Sequence, residues 1–350
     1  MSRTTGSPIR SDDPRGPLIT VLGGSGFIGS AVVGELARQP VRLRTVSRGP
    51  GRTPARAVAA VEVRQADLAR PGAVHDAVQG ADAVIHLAAH IGGAQSWRAA
   101  DERAERVNVG VMRDLVDSLR GRAGTGLPPA VIFASTLQAG TGEDAGQGAY
   151  ARQKTTAENL LREATSEAVV RGVVLRLATV FGHSPLAGTT GPGSTGRGVI
   201  AAMTRRAIDG DPITMWHDGS VRRDFLHVRD AGLAFVAALR HVEELRGEPW
   251  VVGTGRLEPL GDVFSAVAAL VAEHTGRPPV PVVSVEPPDH AEAGDFHTPD
   301  SDPAAFRAVT GWQPGVPLGD GLNAVVTAMV AEREEGKMGR TDETGGGGLA

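Results

Sequence analysis

The stretch LITVLGGSGFIG, residues 18–29, decides the fold. Its first five residues predict a buried strand, and the apolar pattern that follows predicts a helix to about residue 38. Between them, Gly23, Gly26 and Gly29 form a turn that lets the backbone approach a ligand closely. Free N–H groups at the helix N-terminus favour an anion there. Strand, turn and helix in this order indicate a dinucleotide-binding fingerprint; the alternative is a turn that needs glycine for steric reasons alone.

Outward from this stretch, short apolar runs alternate with amphipathic segments as far as Leu177. This alternation is typical of parallel strands joined by crossover helices. The expected fold class is α/β, a doubly wound parallel sheet (Rossmann) with a smaller C-terminal α+β substrate lobe. We predict strands at 18–22, 41–46, 61–63, 83–87, 130–135 and 173–177, and helices at 28–38, 72–78, 100–119 and 149–164.

The alternation breaks after Leu177. Residues 182–198 are dense in Gly, Pro, Ser and Thr and predict a loop. Beyond it we predict helices at 199–208, 231–239, 260–274 and 318–332, and strands at 213–216 and 250–252. We assign residues 18–180 with about 228–256 to a dinucleotide-binding domain, and residues 181–227 with about 257–332 to the substrate lobe. Residues 1–17 are expected to be a disordered lead and residues 333–350 a disordered tail.

Composition excludes several classes of function. The chain has 350 residues, 41% of them hydrophobic, and a net charge of −4, so it has no basic surplus for a nucleic-acid backbone. It has no cysteine, which excludes disulfides and thiolate metal sites and agrees with a cytoplasmic location. The apolar runs are too short to span a membrane. His86 and His90 do not share a helix face, so we expect no metal; His86 is instead expected to be a buried core residue with satisfied hydrogen bonds.

A candidate catalytic group follows the predicted fifth strand. Tyr150 and Lys154 stand four residues apart, so on a helix the ammonium lies beside the phenol and lowers its pKa. Tyr150 is the only tyrosine in the chain, and Ser135 closes the strand before it. Ser135, Tyr150 and Lys154 are therefore the catalytic candidates: Tyr150 protonates a substrate carbonyl oxygen and Ser135 polarises it. Thr136 takes the place of Ser135 if the strand register is shifted by one. The alternative for the Tyr-Lys spacing is a surface helix pair.

The end of the second strand bears on the choice of cofactor. An NAD enzyme usually carries a carboxylate there, against the ribose diol, whereas this chain has Ser47 and Arg48. A hydroxyl and a guanidinium favour the 2′-phosphate of NADPH; the alternative is a solvated surface arginine. Asp67 and Leu68, after the third strand, are expected at the adenine edge unless the Asp only forms a turn. The candidate cofactor-binding residues are Gly23, Ser25, Gly26, Phe27, Ile28, Gly29, Ser47, Arg48, Asp67, Leu68, Leu87, Ala88, Ala89, Tyr150 and Lys154.

These motifs resemble the extended short-chain dehydrogenase/reductases. The resemblance rests on GGSGFIG at 23–29, HLAA at 86–89, Tyr150 with Lys154, RLATVFG at 176–182 and RRDFLHVRD at 222–230. Further segments, such as TMWHDG at 214–219, are similar to actinobacterial 4-ketoreductases of antibiotic deoxysugar biosynthesis. The resemblance implies an oxidoreductase that uses NADPH to reduce the C4 ketone of a dTDP-linked 4-keto-6-deoxy sugar.

The resemblance also suggests substrate contacts, with Arg223 at the sugar-nucleotide diphosphate and Trp216 near the thymine or in the core. Two departures stand out. Leu137 follows Thr136 where dehydratases of the family carry an acid-base pair, so dehydration is disfavoured, and Thr179 replaces a usual Asn. Family members often pair through helices 100–119 and 149–164, which suggests a homodimer. The candidate substrate-binding residues are His90, Thr136, Gln138, Thr179, Arg197, Trp216 and Arg223.

Two other functions stay open on the sequence. A sugar-nucleotide 4-epimerase uses the same catalytic group and recycles its hydride, but such enzymes generally hold NAD with an acidic ribose partner, unlike Ser47 and Arg48 here. A non-catalytic NADPH-binding regulator is possible because fold does not dictate function. The complete Ser-Tyr-Lys set disfavours it.

Overall fold

The computed structural model describes Ile9, Asp13 and residues 15–90, 102–121, 126–139, 148–183, 198–288, 291 and 293–344, with the side chains of the last helix as far as Glu335. The strands in chain order are β1 (Leu18–Leu22), β2 (Arg42–Ser47), β3 (Ala60–Gln65), β4 (Ala83–His86), β5 (Ala130–Thr136), β6 (Arg171–Leu177), β7 (Thr179–Phe181), β8 (Ile213–Met215), β9 (Arg222–His227), β10 (Pro249–Val252), β11 (Leu257–Pro259) and β12 (Val282–Ser284).

The helices are α1 (Phe27–Leu36), α2 (Ala73–Val78), α3 (Glu102–Glu105), α4 (Val111–Arg120), α5 (Ala149–Ser166), α6 (Val199–Asp209), α7 (Val228–Arg240), α8 (Val242–Leu245), α9 (Leu260–Thr275), α10 (Ala293–Phe296), α11 (Ala304–Thr310) and α12 (Leu318–Thr344). A π-helical segment, Arg106–Gly110, joins α3 to α4 without a break.

Seven parallel strands form the main sheet in the order β10-β6-β5-β4-β1-β2-β3. Every residue of β1 and β4 is buried, as expected for strands covered on both faces. The doubly wound α/β fold predicted from the sequence is confirmed. Because strand order reverses between β1 and β4, their carboxyl ends open onto a crevice where ligands bind in such sheets.

Helices cover both faces of this sheet. On one face, α1 packs on α7 over a core that includes Val21, Ile85, Ile132 and Phe235. On the other, α2, α4 and α5 pack over a core that includes Leu115, Phe133 and Leu161. Helix α5 therefore lies directly on strands β5 and β6, and its first turn reaches the carboxyl edge of the sheet.

A third core lies outside the main sheet. Helices α6, α9 and α12 pack together around Ile200, Phe264 and Val326. A three-stranded sheet, β11-β9-β7, and the pair β12-β8 belong to this region. The sequence predicted β8 but missed β7, β9, β11 and β12. Strands β7, β11 and β12 have only three residues each, and β9, with the sequence RRDFLH, lacks the apolar alternation that marks a strand.

Both chain ends depart from the sequence prediction. In the lead expected to be disordered, Ile9 is buried in the main core and the Asp13 carboxylate lies 2.9 Å from Nη2 of Arg42. The tail was expected from residue 333, yet α12 continues to Thr344, because the residues after Glu332 are mostly good helix formers. None of the helices in the described residues combines the length and the apolar composition that a bilayer crossing requires.

Candidate active site

The glycine turn closes tightly after β1. Gly23 has φ +90°, a conformation that favours glycine, and its N–H donates to the carbonyl oxygen of Val46 at 2.7 Å. A Cβ at Gly29 would collide with the carbonyl oxygen of Gly23. A Cβ at Gly23 would come within 2.8 Å of the backbone N of Ala88. The turn therefore brings the start of α1 close to the end of β4.

The free N–H groups at the N-terminus of α1 have no side-chain cap and no acidic residue in the first turn of the helix, whose N-cap is Gly26. The free N–H groups and the helix dipole there favour an anion. Phe27 and Ile28 are half-buried in this first turn, whereas Ser25 is exposed. The residues of the turn thus fit the pyrophosphate of a dinucleotide.

The end of β2 presents a hydroxyl and a guanidinium. The Ser47 hydroxyl donates to the carbonyl oxygen of Gly49 at 3.2 Å, and Gln65 Nε2 donates to that of Arg48 at 2.8 Å. The Arg48 side chain is exposed and makes no hydrogen bond or ion pair with the described residues. At the next strand, Asp67 lies 3.4 Å from Arg103, and Leu68 is buried.

The segment after β4 runs beside the glycine turn. Leu87 donates its N–H to the carbonyl oxygen of Leu22 at 2.9 Å. Ala88, Ala89 and His90 follow it and are all half-buried. Among the described residues, no group of three metal-ligating side chains surrounds His86 and His90 or any other position.

Tyr150 and Lys154 lie on the face of α5 that meets the sheet. Lys154 is 2% exposed, and its ammonium donates to the carbonyl oxygen of Ala134 at 2.8 Å. The same Nζ lies 4.5 Å from the ring centroid of Phe133 and 5.6 Å from that of Tyr150. Tyr150 is half-buried. The structure therefore brings the two residues together.

Burial shifts the pKa values of this group. Desolvation lowers the pKa of Lys154 to about 7, although the Glu158 carboxylate opposes the shift. Desolvation raises the pKa of Tyr150 above its ordinary value, which is the opposite of the direction expected from the sequence. The reason is geometric: the ammonium is turned to the carbonyl of Ala134, and loss of water dominates at the phenol.

His86 lies fully buried beneath this group. Its ring centroid lies 5.3 Å from that of Phe133, with the two rings tilted by 46°, and neither ring nitrogen has a hydrogen-bond partner in the described part of the chain. Burial, together with the positive charge of Lys154, lowers its pKa to about 3. The sequence predicted a buried histidine with satisfied hydrogen bonds; it is buried, but its nitrogens are unpaired.

The hydroxyl of Ser135 does not face the crevice. Ser135 is 6% exposed, and its Oγ donates to Glu158 Oε1 at 2.5 Å. Glu158, 3% exposed, also accepts two hydrogen bonds from Arg176, at 3.0 and 2.6 Å. The strand alternates its side chains, so Thr136 points to the other face. It is half-buried, and within the described part of the chain its hydroxyl accepts only from the N–H of Gln138. This geometry favours Thr136 over Ser135 as the hydroxyl that faces a substrate.

The remaining substrate candidates are spread over both parts of the molecule. Gln138 lies beside α10, since a Cβ at Gly294 would come 3.5 Å from its Nε2. Thr179 is half-buried in β7, and Trp216 is half-buried directly after β8. Arg197 lies outside the described residues.

Arg223 is engaged by main-chain carbonyls. Its Nη1 donates to the carbonyl oxygens of Arg222 and His297, at 2.9 and 2.5 Å. Its Nη2 donates to those of Gly294 and Asp295, at 2.8 and 3.1 Å. In this structure four of the five N–H donors of the guanidinium bind these carbonyls, so a bidentate contact with a diphosphate would require it to leave some of them.

The sequence reading missed three polar residues around the site. Glu158 lies four residues after Lys154, so the sequence alone indicates that it shares a helix face with Tyr150 and Lys154. Asn108 and Gln153 are buried and hydrogen-bonded to each other at 2.7 Å. No spacing in the sequence marks that pair, because it joins two separate helices.

Comparisons with known proteins agree with this geometry. The dTDP-L-rhamnose 4-epimerase of Burkholderia thailandensis is 27% identical over 91% of this chain and 96% of its own length. The UDP-N-acetyl-alpha-D-glucosaminuronate decarboxylase of Bacillus cytotoxicus is 25% identical over 76% of this chain and 84% of its own. The structure of the Thermotoga maritima UDP-glucose 4-epimerase with UDP-glucose superposes with a TM-score of 0.72 and 24% identity, covering 90% of this chain and 99% of that one. A family model matches residues 19–253, from β1 to the end of the main sheet, and on that match the chain belongs to the NAD dependent epimerase/dehydratase family.

Proposed function

We propose that this protein uses NADPH to reduce the C4 ketone of a dTDP-linked 4-keto-6-deoxy sugar. One observation carries the proposal: the phenol of Tyr150 and the ammonium of Lys154 lie together at the start of a helix over the carboxyl edge of the sheet. The uncapped N-terminus of α1 opens at the same edge. A proton donor thus lies near an anion site that fits a pyridine dinucleotide.

Residues of this chain transfer the proton that the reduction requires. When bound, NADPH supplies the hydride to the carbonyl carbon. Tyr150, kept protonated by its raised pKa, donates its proton to the carbonyl oxygen as negative charge develops there. Thr136 donates a hydrogen bond to the same oxygen, and Lys154 stabilises the tyrosinate left behind. Leu137 offers no carboxylate for an elimination step.

The relatives support a nucleotide sugar as substrate. The Burkholderia relative is named for a dTDP-linked deoxysugar, and MoeE5, a structure with 25% identity and a TM-score of 0.68 covering 90% of this chain and 99% of that one, holds UDP-glucose and NAD. Within this chain, Gln138 and Trp216 are half-buried in the part expected to hold the sugar and base. Arg223 remains the candidate for the diphosphate.

The first experiment follows oxidation of NADPH with a dTDP-4-keto-6-deoxyhexose, in the wild type and in Tyr150→Phe. We expect kcat to fall by roughly 100-fold or more, because the proton donor is lost, while the Kd for NADPH stays nearly unchanged. Undiminished turnover in the variant would remove Tyr150 from its role. If the wild type binds NADPH but turns over no sugar nucleotide, the regulator is the better account.

Cofactor preference has its own test. Arg48→Ala removes an exposed guanidinium at the end of β2, so we expect the Kd for NADPH to rise about 10-fold or more and that for NADH to change little. Arg52→Ala is the matched control, since it removes the same charge from the same exposed loop. Equal losses for both cofactors in Arg48→Ala, or equal effects of the two variants, would refute the assignment.

A 4-epimerase is the second candidate, and the Burkholderia relative, a dTDP-L-rhamnose 4-epimerase, favours it. The two reactions differ in their cofactor balance: a reductase consumes one NADPH per product, whereas an epimerase returns its hydride. Turnover of a sugar nucleotide without net oxidation of NADPH would therefore favour the epimerase.

The homodimer implied by the resemblance stays a prediction. The outward positions of α4 and α5 carry Arg113, Asp117, Arg120, Arg152 and Arg162, all exposed. A pair formed through this face would be unusually polar for a homodimer interface. Sedimentation at micromolar concentration checks whether it forms.

A further inference from the structure

A buried amide connects the catalytic helix to the segment after β4. Asn108, 1% exposed, lies in the π-helical segment Arg106–Gly110. Its Oδ1 accepts from the N–H of His90 at 2.8 Å, and its Nδ2 donates to the carbonyl oxygen of His90 at 3.1 Å and to Gln153 Oε1 at 2.7 Å. These bonds use every proton of the Asn108 amide, so its position is fully determined.

The two ends of this connection lie at functionally distinct places. Gln153 is 7% exposed and directly precedes Lys154 on α5. His90 ends the segment 87–90, which begins beside Leu22 and passes Gly23 of the glycine turn. The chain of hydrogen bonds therefore runs from the helix that carries Tyr150 and Lys154 to the segment expected to touch the cofactor.

Burial alone does not account for a glutamine at this position. A buried amide costs free energy unless it is hydrogen-bonded, and an apolar side chain of similar size would fill the space without that requirement. The π-helical turn adds to the argument, since such turns are frequent at functional sites. Here it places the amide of Asn108 between the two elements.

We infer that Gln153 is a positioning residue: through Asn108 it fixes the helix carrying Tyr150 and Lys154 against the segment 87–90, and so sets the distance between proton donor and cofactor. The inference rests on the proposed function for its catalytic consequence. Its structural consequence, an ordered segment 87–90 in the free protein, does not depend on any substrate.

The test compares Gln153→Met with Thr165→Val. Methionine keeps the length of the side chain but loses the carbonyl acceptor. Thr165 lies on the same helix about 22 Å from Tyr150, and its hydroxyl bonds the N–H of Gly172 in β6 at 3.1 Å, so Thr165→Val also removes a bond between helix and sheet. We expect both variants to lose stability, but only Gln153→Met to raise the Kd for NADPH and lower kcat, each about 10-fold.

Two further measurements make the test independent of turnover. Amide hydrogen exchange of His90 is expected to speed up in Gln153→Met and to stay unchanged in Thr165→Val. The double variant Asn108→Leu with Gln153→Met should be no worse than Asn108→Leu alone, because both act through one connection. Equal cofactor Kd, kcat and exchange rates in Gln153→Met and Thr165→Val would overturn the inference. If the wild type turns over no sugar nucleotide, the proposed function fails. The exchange rate of the His90 amide and the Kd for NADPH then still decide whether Gln153 is a positioning residue.

Discussion

Ser135 and Thr136 are neighbours in the sequence, and β5 sends their hydroxyls to opposite faces. The Ser135 hydroxyl donates its only proton to the Glu158 carboxylate. The same carboxylate also accepts from the guanidinium of Arg176. The Thr136 hydroxyl accepts a weak bond at 3.3 Å from the N–H of Gln138, and its own proton has no acceptor among the described residues. Of these two hydroxyls, that of Thr136 is therefore the one that can donate to a substrate oxygen.

We predict that Thr136→Val lowers kcat by roughly 100-fold, because it removes a donor to the developing oxyanion while keeping the shape of the side chain. Ser135→Ala should lower kcat much less and should instead reduce the free energy of unfolding by about 1 kcal/mol or more, since Glu158 loses one hydrogen bond. Steady-state kinetics and urea unfolding of both variants check this. A larger loss of kcat in Ser135→Ala than in Thr136→Val would contradict it.

At this scale the sequence predicted Tyr150 and Lys154 because a four-residue spacing on a helix needs no knowledge of the fold. It favoured Ser135 over Thr136, whereas the geometry favours Thr136. That choice depends on which face of β5 helix α5 covers and on a carboxylate 23 residues further along the chain. Neither is visible in a local pattern.

At the scale of elements, helix α5 packs a row of polar side chains against the sheet. Tyr150, Lys154 and Glu158 follow one another at intervals of four, and His86 of β4 lies below them. Helix α5 and strands β4 and β5 were predicted within two residues of their observed bounds, since their apolar patterns are strong. The π-helical segment before α4 was predicted as ordinary helix, because an inserted residue does not alter composition.

Burial of Lys154 makes the stability of the cofactor-free protein depend on pH. Its pKa is about 7 in the fold and 10.5 as its ordinary value, so between these values the unfolded chain binds more protons. The free energy of unfolding therefore rises with pH, with a slope that approaches about 1.4 kcal/mol per pH unit. The raised pKa of Tyr150 acts in the opposite sense only above its ordinary value of 10.0.

Denaturant unfolding between about pH 7 and about pH 9 measures this slope. Lys154→Met should flatten it, and Arg152→Met, an exposed change on the same helix, should leave it as it is. A wild-type stability that is constant or falls over this range would show that Lys154 is not desolvated in the fold.

At the scale of the whole molecule, the chain passes several times between the main sheet and the lobe built on α6, α9 and α12. It leaves the sheet after β6, returns with α7, and crosses again between β10 and β11. The sequence predicted the parallel sheet because its strands alternate with helices in order. It did not predict β9 with β7 and β11, whose pairing joins segments far apart in the chain.

Asp224 connects the lobe to the main sheet through hydrogen bonds. It lies in β9, is 1% exposed, and accepts from the N–H and hydroxyl of Thr254 at 3.0 and 2.6 Å. It also accepts from the N–H of Gly255 at 2.8 Å and the hydroxyl of Ser301 at 2.7 Å. Thr254 and Gly255 follow β10 of the main sheet, so one buried carboxylate links the lobe to that sheet.

We therefore predict that the sheet and the lobe unfold together, and that Asp224→Ala lowers the free energy of unfolding by about 3 kcal/mol or more, because it leaves buried donors without an acceptor. Asp218→Ala is the matched control. Among the residues that the structure describes, this exposed carboxylate bonds only Ser220 within its own turn, so its loss should cost less than about 1 kcal/mol. Scanning calorimetry should show one unfolding transition in the wild type and in both variants. Only Asp224→Ala should lower the midpoint temperature of that transition. Two separate transitions, or a shift confined to part of the heat absorption, would mean that the lobe folds on its own and that the Asp224 contacts do not couple it to the sheet.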